Sequence, residues 1–220
     1  MSTDQTITFN ELILKSPFCL TISGQSGAGK STVAMNILKN CQNLIDPKPK
    51  SILYCYGVYT AKIPLIQKMG ARINAGLPND ELLNTMQKPL LLIFDDLMMA
   101  LNNKREYIAN LVTRQSHHSN ISMIFIVQNL FERNFKIVRD NSQFIILMNS
   151  PSAALQIRTL GTQLFPGQNN LAYFLSAYKQ AVEKIYGYLF IDLHPASDSR
   201  LRLRTNVFNE DNFQSLFLPQ

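Results

Sequence analysis

The sequence is short of charge. Asp, Glu, Lys and Arg make up 16% of its 220 residues, against about 25% in an average globular chain, so much of its surface is neutral or meets a partner. It has three cysteines, Cys19, Cys41 and Cys55; an odd number at wide, unrelated spacings excludes a disulfide framework and a zinc cluster and predicts reduced, buried thiols. No apolar run approaches the ~18 residues of a membrane span, and MSTDQTITFNEL at the start lacks the basic-then-apolar shape of a secretion signal. The expectation is a chain that works inside a cell, is not secreted and has no membrane partner. Repeats, low-complexity tracts and Pro-, Gly- or Ser-rich linkers are also missing, which predicts one domain over residues 1–220, with its core at 18–208 and short tails at each end.

What is present is a core. Apolar residues are 46% of the chain, and Lys and Arg exceed Asp and Glu by 21 to 15, giving a net charge of +6 and a pI near 9.3. That mild excess is compatible with a polyanionic partner without requiring one.

The strongest local signal is GQSGAGKST at 24–32, placed after the apolar run FCLTI and before VAMNILKN. It fits the phosphate-loop pattern, with Gly24, Gly29, Lys30 and Ser31 at the fixed positions. Glycines let the backbone amides of Gln25, Ser26, Gly27 and Ala28 turn toward an anion, and the helix that follows through Thr32 adds unpaired N–H groups and the positive end of its dipole. Lys30 is expected to reach the β- and γ-phosphates of ATP and Ser31 to ligate Mg²⁺.

Further along, DPKPK at 46–50 breaks the chain before the strand SILYCY, and TAKIPLIQKMG reads as helical with Pro64 near its start. PLLLIFDD at 89–96 and ISMIFIVQ at 121–128 are unbroken apolar runs, the mark of parallel strands buried on both faces. FIILMN at 144–149 is a further strand, and helices are expected near 104–116, where Tyr107, Ile108, Leu111 and Val112 share a face, and near 152–163 and 169–182. Strands alternating with helices give an α/β fold, a mainly parallel sheet with helices on both faces. YGYLFIDL (186–193) and RLRLRTNVF (200–208), joined by the turn-rich HPASDS, read as a C-terminal β-hairpin.

In such sheets ligands gather at the carboxyl ends of the strands. There Asp95 and Asp96 offer one carboxylate for Mg²⁺ and one to polarise a water, and Gln128 offers a neutral side chain able to hydrogen-bond both a water and a phosphate oxygen. A strand between the acidic pair and the phosphate loop is the ASCE/RecA-like order of P-loop NTPases and brings hydrolysis into view. Arg114 stands beside the helical face just before the Gln128 strand. Arg200, Arg202 and Arg204 alternate with Leu201 and Leu203, and in a strand they would present three guanidinium groups on one face, a row suited to DNA phosphates or to guarding a sheet edge. His117 and His118 are adjacent and make a poor metal pair on a helix; these and His194 are read as structural or DNA-proximal.

The order GQSGAGKST, ILYCYG, LLLIFDDLMMA, TRQSHHSNISMIFIVQNLF, FIILMNSP, LFPG and YGYLFIDLHP with LRLRTNVF resembles the genome-packaging ATPases of the FtsK/HerA superfamily, closest in look to those of Polinton-like elements, adintoviruses and virophages. It covers residues 18–208. The resemblance implies a homo-oligomeric ring of ATPase subunits that drives double-stranded DNA into a viral capsid through its portal, in the host cell, its virus factory or the virion. It implies Walker A roles for Lys30 and Ser31, Walker B roles for Asp95 and Asp96, a sensor role for Gln128, and a trans-acting arginine finger at Arg114, with Arg133 and Arg139 as competitors. Asp96 stands where Glu is more usual in the wider superfamily, which shortens the arm of a catalytic base. Two other readings remain at this point: a small-molecule, nucleoside-type kinase, and a nucleotide-regulated binding subunit with little turnover.

Overall fold

The apolar runs become the middle of one sheet. In the computed structural model, which describes residues 12–116, 119–132, 135–208 and 214–218, the chain makes strands β1 (Leu14–Lys15), β2 (Cys19–Ser23), β3 (Ile45–Asp46), β4 (Ser51–Tyr56), β5 (Arg72–Ala75), β6 (Leu90–Asp95), β7 (Ile121–Val127), β8 (Phe144–Met148), β9 (Tyr188–Asp192), β10 (Leu203–Thr205) and β11 (Ser215–Phe217). The helices are α1 (Lys30–Leu44), α2 (Ile63–Lys68), α3 (Asp80–Thr85), α4 (Met98–Asn103), α5 (Arg105–Asn110), α6 (Lys136–Asp140), α7 (Ala154–Leu164) and α8 (Gln168–Ala181). α5 runs on into a π turn at Leu111–Gln115.

Nine strands lie in the order β11-β10-β9-β8-β2-β7-β6-β4-β5. From β8 to β5 all neighbours are parallel, and β9, β10 and β11 add antiparallel strands at one edge. β1 and β3 form a separate parallel pair. The continuous apolar runs are explained by helices on both faces: along β6, Leu90, Leu92 and Phe94 join one core with α4 to α8, while Leu91 and Ile93 join the other with α1 and α2. Strand alternation thus makes one strand serve two cores. The Phe94 and Phe125 rings stack at 4.8 Å between centroids, a contact worth about 1 kcal/mol beyond burial.

The order places β7 between the phosphate-loop strand β2 and the acidic strand β6. Register aligns their ends, since Ser23 pairs with Val127 and Asp95 with Ile126, so the loop at 24–29, Asp96 and Gln128 all leave the same sheet edge. Cys19, Cys41 and Cys55 are free and buried, as expected. No helix among the described residues is long and apolar enough to cross a membrane.

Two expectations are corrected. The helix expected near 104–116 is a relay of α4, α5 and the π turn; Ile108, Leu111 and Val112 still face inward, and Tyr107 donates to the Pro78 carbonyl at 2.7 Å. The strand expected across 200–208 is only β10; residues 199–201 form a 3-10 turn whose first N–H groups are capped by Asp198. Arg200, Arg202 and Arg204 therefore do not share a strand face. Arg200 pairs with Asp198 at 2.7 Å, and Arg204 is 8% exposed, donating to the Leu201 carbonyl at 2.9 Å and to Gln214. A row for DNA phosphates is not formed there.

Candidate nucleotide site

The phosphate loop turns because its glycines can. Gly29, at φ 97°, is the left-handed residue from which α1 starts, and it exposes the first amides of that 15-residue helix to whatever sits above. Lys30 folds back, its Nζ donating to the carbonyls of Gly24 at 2.7 Å and Gln25 at 2.9 Å. Burial lowers the Lys30 pKa, opposed by the charges of Asp95 and Asp96. A half-buried cation with only carbonyl partners suits an arriving polyanion, whose oxygens replace those carbonyls with charged acceptors.

Asp95 and Asp96 end β6 with different environments. Asp95 is half-buried; its Oδ2 accepts from Tyr54 at 2.5 Å and from Ser31 at 3.3 Å. Burial raises the Asp95 pKa, while the hydrogen bonds from Tyr54 and Ser31 pull it back down. Asp96 is exposed and left-handed, φ 54°, a conformation Asp tolerates better than most residues. Its carbonyl lies so close to Gly57 that a Cβ there would sit 2.0 Å away, and the Gly57 N–H donates to the Asp95 carbonyl at 2.9 Å. Gly57 is therefore what lets the β4 turn press against the acidic turn and fix it.

Lys30, Ser31, Asp95, Asp96 and Gln128 line one cavity of about 360 Å³ together with Ser26, Gly27, Gly29 and Thr32 of the loop. Most of the sequence-derived loop residues, both acids and Gln128 are thus brought together, while Gly24, Gln25 and Ala28 do not line the cavity. Arg114 is exposed on the π turn and does not line this cavity. Arg139 is 13% exposed in its side chain, lies over the Phe131 ring at 4.5 Å and donates to the Leu130 carbonyl and Asp140. Those contacts tether it to its own subunit, so it is withdrawn as a finger candidate. Arg133, His117 and His118 lie outside the described residues. His194 caps its own turn, Nδ1 accepting from the Ala196 N–H, and stacks near Phe144.

Magnesium chemistry fits the donor set. Ser31 Oγ and Asp95 Oδ2 are oxygen ligands in contact with one another, and no cluster of three His, Cys, Asp or Glu side chains exists among the described residues to cage a metal. That suits Mg²⁺, which keeps waters and takes phosphate oxygens rather than an all-protein shell.

The sequence did not single out Tyr54, Gly57, Lys62 or Tyr186. Lys62 donates to Thr32 at 3.1 Å, tying the segment after β4 to the start of α1. Tyr186, at φ 62°, is bulky and left-handed, a conformation costing about 1–2 kcal/mol. The available signals were the mid-strand tyrosine hydroxyl of SILYCY and a Tyr-Gly pair before β9.

No protein-family model matches the chain, and neither does any curated protein. Solved structures do match in fold. The genome packaging NTPase B204 from Sulfolobus turreted icosahedral virus 2, in complex with sulfate, aligns with a TM-score of 0.53 over 93% of this chain and 97% of its own, at 12% identity. EssC (ATPases 2 and 3) from Geobacillus thermodenitrificans aligns with a TM-score of 0.54 over 92% of this chain, which spans 40% of the EssC chain, at 14% identity. With the strand order and the loop, these alignments make the fold that of a P-loop NTPase.

Proposed function

We propose that residues 1–220 form one motor domain of the FtsK/HerA packaging type: an ATPase that works as a homo-oligomeric ring and moves double-stranded DNA into a capsid through its portal. The hydrolase half rests on one observation, the meeting of the phosphate loop, two consecutive acids and Gln128 around a single cavity across three adjacent strand ends. The loop amides and Lys30 hold the phosphates, and Ser31 and Asp95 hold Mg²⁺. That ion, when bound, neutralises charge on the phosphate oxygens. Asp96, free of hydrogen-bond partners among the described residues, takes the proton of the attacking water, and Gln128 orients that water. Arg114, exposed and away from its own cavity, serves the site of a neighbouring subunit.

The DNA half is supported by the sequence resemblance and by the likeness in fold to a genome packaging NTPase over 97% of that chain. ATP turnover measured with and without long duplex DNA, across protein concentration, tests the whole. Turnover should rise with both, and mixing Arg114→Ala with Lys30→Ala subunits should restore part of the lost activity at mixed interfaces. Turnover indifferent to DNA and to concentration would overturn the motor; phosphate transfer to a nucleoside would replace it with a kinase.

A further inference from the structure

The sheet order gives the phosphate site a direction. The acids that mark the reacting end leave β6, two strands to one side of β2; the segment 182–187, which leads into β9, arrives two strands to the other side. A nucleotide whose terminal phosphate faces Asp95 and Asp96 must therefore run its nucleoside toward β9.

A second cavity waits at that end. It measures about 580 Å³ and shares Gly29, Thr32 and Tyr186 with the phosphate cavity, so the two adjoin at the start of α1. A volume of that order suits a nucleoside. At the junction stands Tyr186. Its ring lies against the loop, with Cδ1 only 2.9 Å from where a Cβ on Gly29 would be, yet the residue remains 63% exposed. Its left-handed backbone is a conformation a bulky side chain rarely adopts, and such strained residues cluster at ligand clamps and active sites. Deeper in, Asn36 of α1 and Asn206 after β10 line the walls. Neither carboxamide has a hydrogen-bond partner among the described residues. A carboxamide offers a donor beside an acceptor, the complement of the adenine edge at N6 and N7.

We infer that Tyr186 is the stacking platform for the base of the bound nucleotide and that the cavity beyond it, with Asn36 and Asn206, selects adenine. This rests on the reading of the phosphate loop as a nucleotide site and is independent of any action on DNA. Tyr186 is a binding residue here, on the cavity wall it shares with the phosphate loop.

Equilibrium binding of two probes by the full chain with Mg²⁺ separates the base from the phosphates: ADP, and inorganic tripolyphosphate, which has no base. Tyr186→Ala should weaken ADP about ten-fold or more, from the lost stacking, and leave tripolyphosphate unchanged, while Tyr186→Phe should bind both as the unaltered chain does. Asn206→Leu should narrow the preference for ADP over GDP. Equal losses for both probes in Tyr186→Ala would mean that the ring merely props the loop, and no loss for ADP would mean that the base lies elsewhere; either overturns the inference. A chain that binds neither probe would overturn the nucleotide reading itself, whereas ADP binding without DNA-stimulated turnover would leave this subsite standing and remove only the motor.

Discussion

Tyr54→Phe removes one oxygen from the interior and should be felt at the metal. Tyr54 is 0% exposed, and its hydroxyl donates to Asp95 Oδ2 at 2.5 Å, reaching along the sheet from the neighbouring strand, where Tyr54 pairs with Ile93 and Tyr56 with Asp95. Burial and the nearby Asp95 charge raise the Tyr54 pKa, so the phenol remains a donor throughout the working pH range. A buried hydrogen bond to a charged acceptor is worth about 1.5–3 kcal/mol. Because burial is what raises the Asp95 pKa and the Tyr54 bond opposes it, losing the bond makes the carboxyl hold its proton to higher pH. A protonated Asp95 is a poor partner for Mg²⁺. The expected outcome is a Mg²⁺ requirement for ATP turnover raised by about ten- to hundred-fold, the equivalent of that energy. The acid limb of the pH–rate profile should move upward, while excess Mg²⁺ at alkaline pH restores most of the rate. Phe keeps the ring and its packing, so thermal stability should change little. A variant with an unchanged Mg²⁺ requirement and an unchanged acid limb would refute the reasoning and reduce Tyr54 to core filling.

The two acids should part company when each loses its charge. Asp95→Asn should abolish Mg²⁺-dependent turnover yet raise the melting temperature of the nucleotide-free chain at neutral pH: the raised pKa means that ionising Asp95 costs more in the folded chain than in the unfolded one, so the Asp95 contribution to stability is present at low pH and lost as pH rises through the raised value. The gap between variant and unaltered chain should therefore close toward acid pH, and a gap independent of pH would contradict the assignment. Asp96→Asn, on an exposed side chain, should leave ATP affinity and melting temperature nearly unchanged and remove turnover; near-normal hydrolysis would end its role as base. Within the former arginine row, Arg204→Gln should lower the melting temperature by several degrees, because a residue only 8% exposed loses its guanidinium bonds to Leu201 and Gln214, each such loss costing about 1–3 kcal/mol. Arg200→Gln, whose pair with Asp198 lies on the surface, should change it little.

What the sequence made legible is what local physics decides. A glycine-rich turn into a helix needs no tertiary contact to declare itself, and largely apolar runs of five to seven residues bounded by breakers become strands buried on both faces, so β2, β6, β7 and β8 and the polar residues that follow them could be placed in order. The interposition of β7 does not follow from chain order alone, since β4, the next strand of this sheet along the chain, lies three places from β2. What remained hidden depends on who stands opposite. RLRLR has a perfect alternation for a strand, but Asp198 captures Arg200 and its backbone N–H and turns the chain into a 3-10 coil, leaving only Leu203–Thr205 to pair with β9 and β11. A side chain two residues upstream outcompeted the period-two pattern. β5 (RINA) alternates Ile73 and Ala75 with Arg72 and Asn74 over only four residues, too short a run to declare itself, and it pairs with the open edge of β4. Tyr54 looked like core and is core; its second task exists only because Asp95 ends the strand beside it. Tyr186 looked like the start of a strand and lies two residues short of one, held left-handed against Gly29 by a turn closed from Gly187 to Lys184. The motifs that bind phosphate are contiguous because one loop can wrap one anion. The residues assigned to the base and to the metal's tuning come from a helix, a turn and strands far apart in the chain, and only the folded sheet brings them to the same edge.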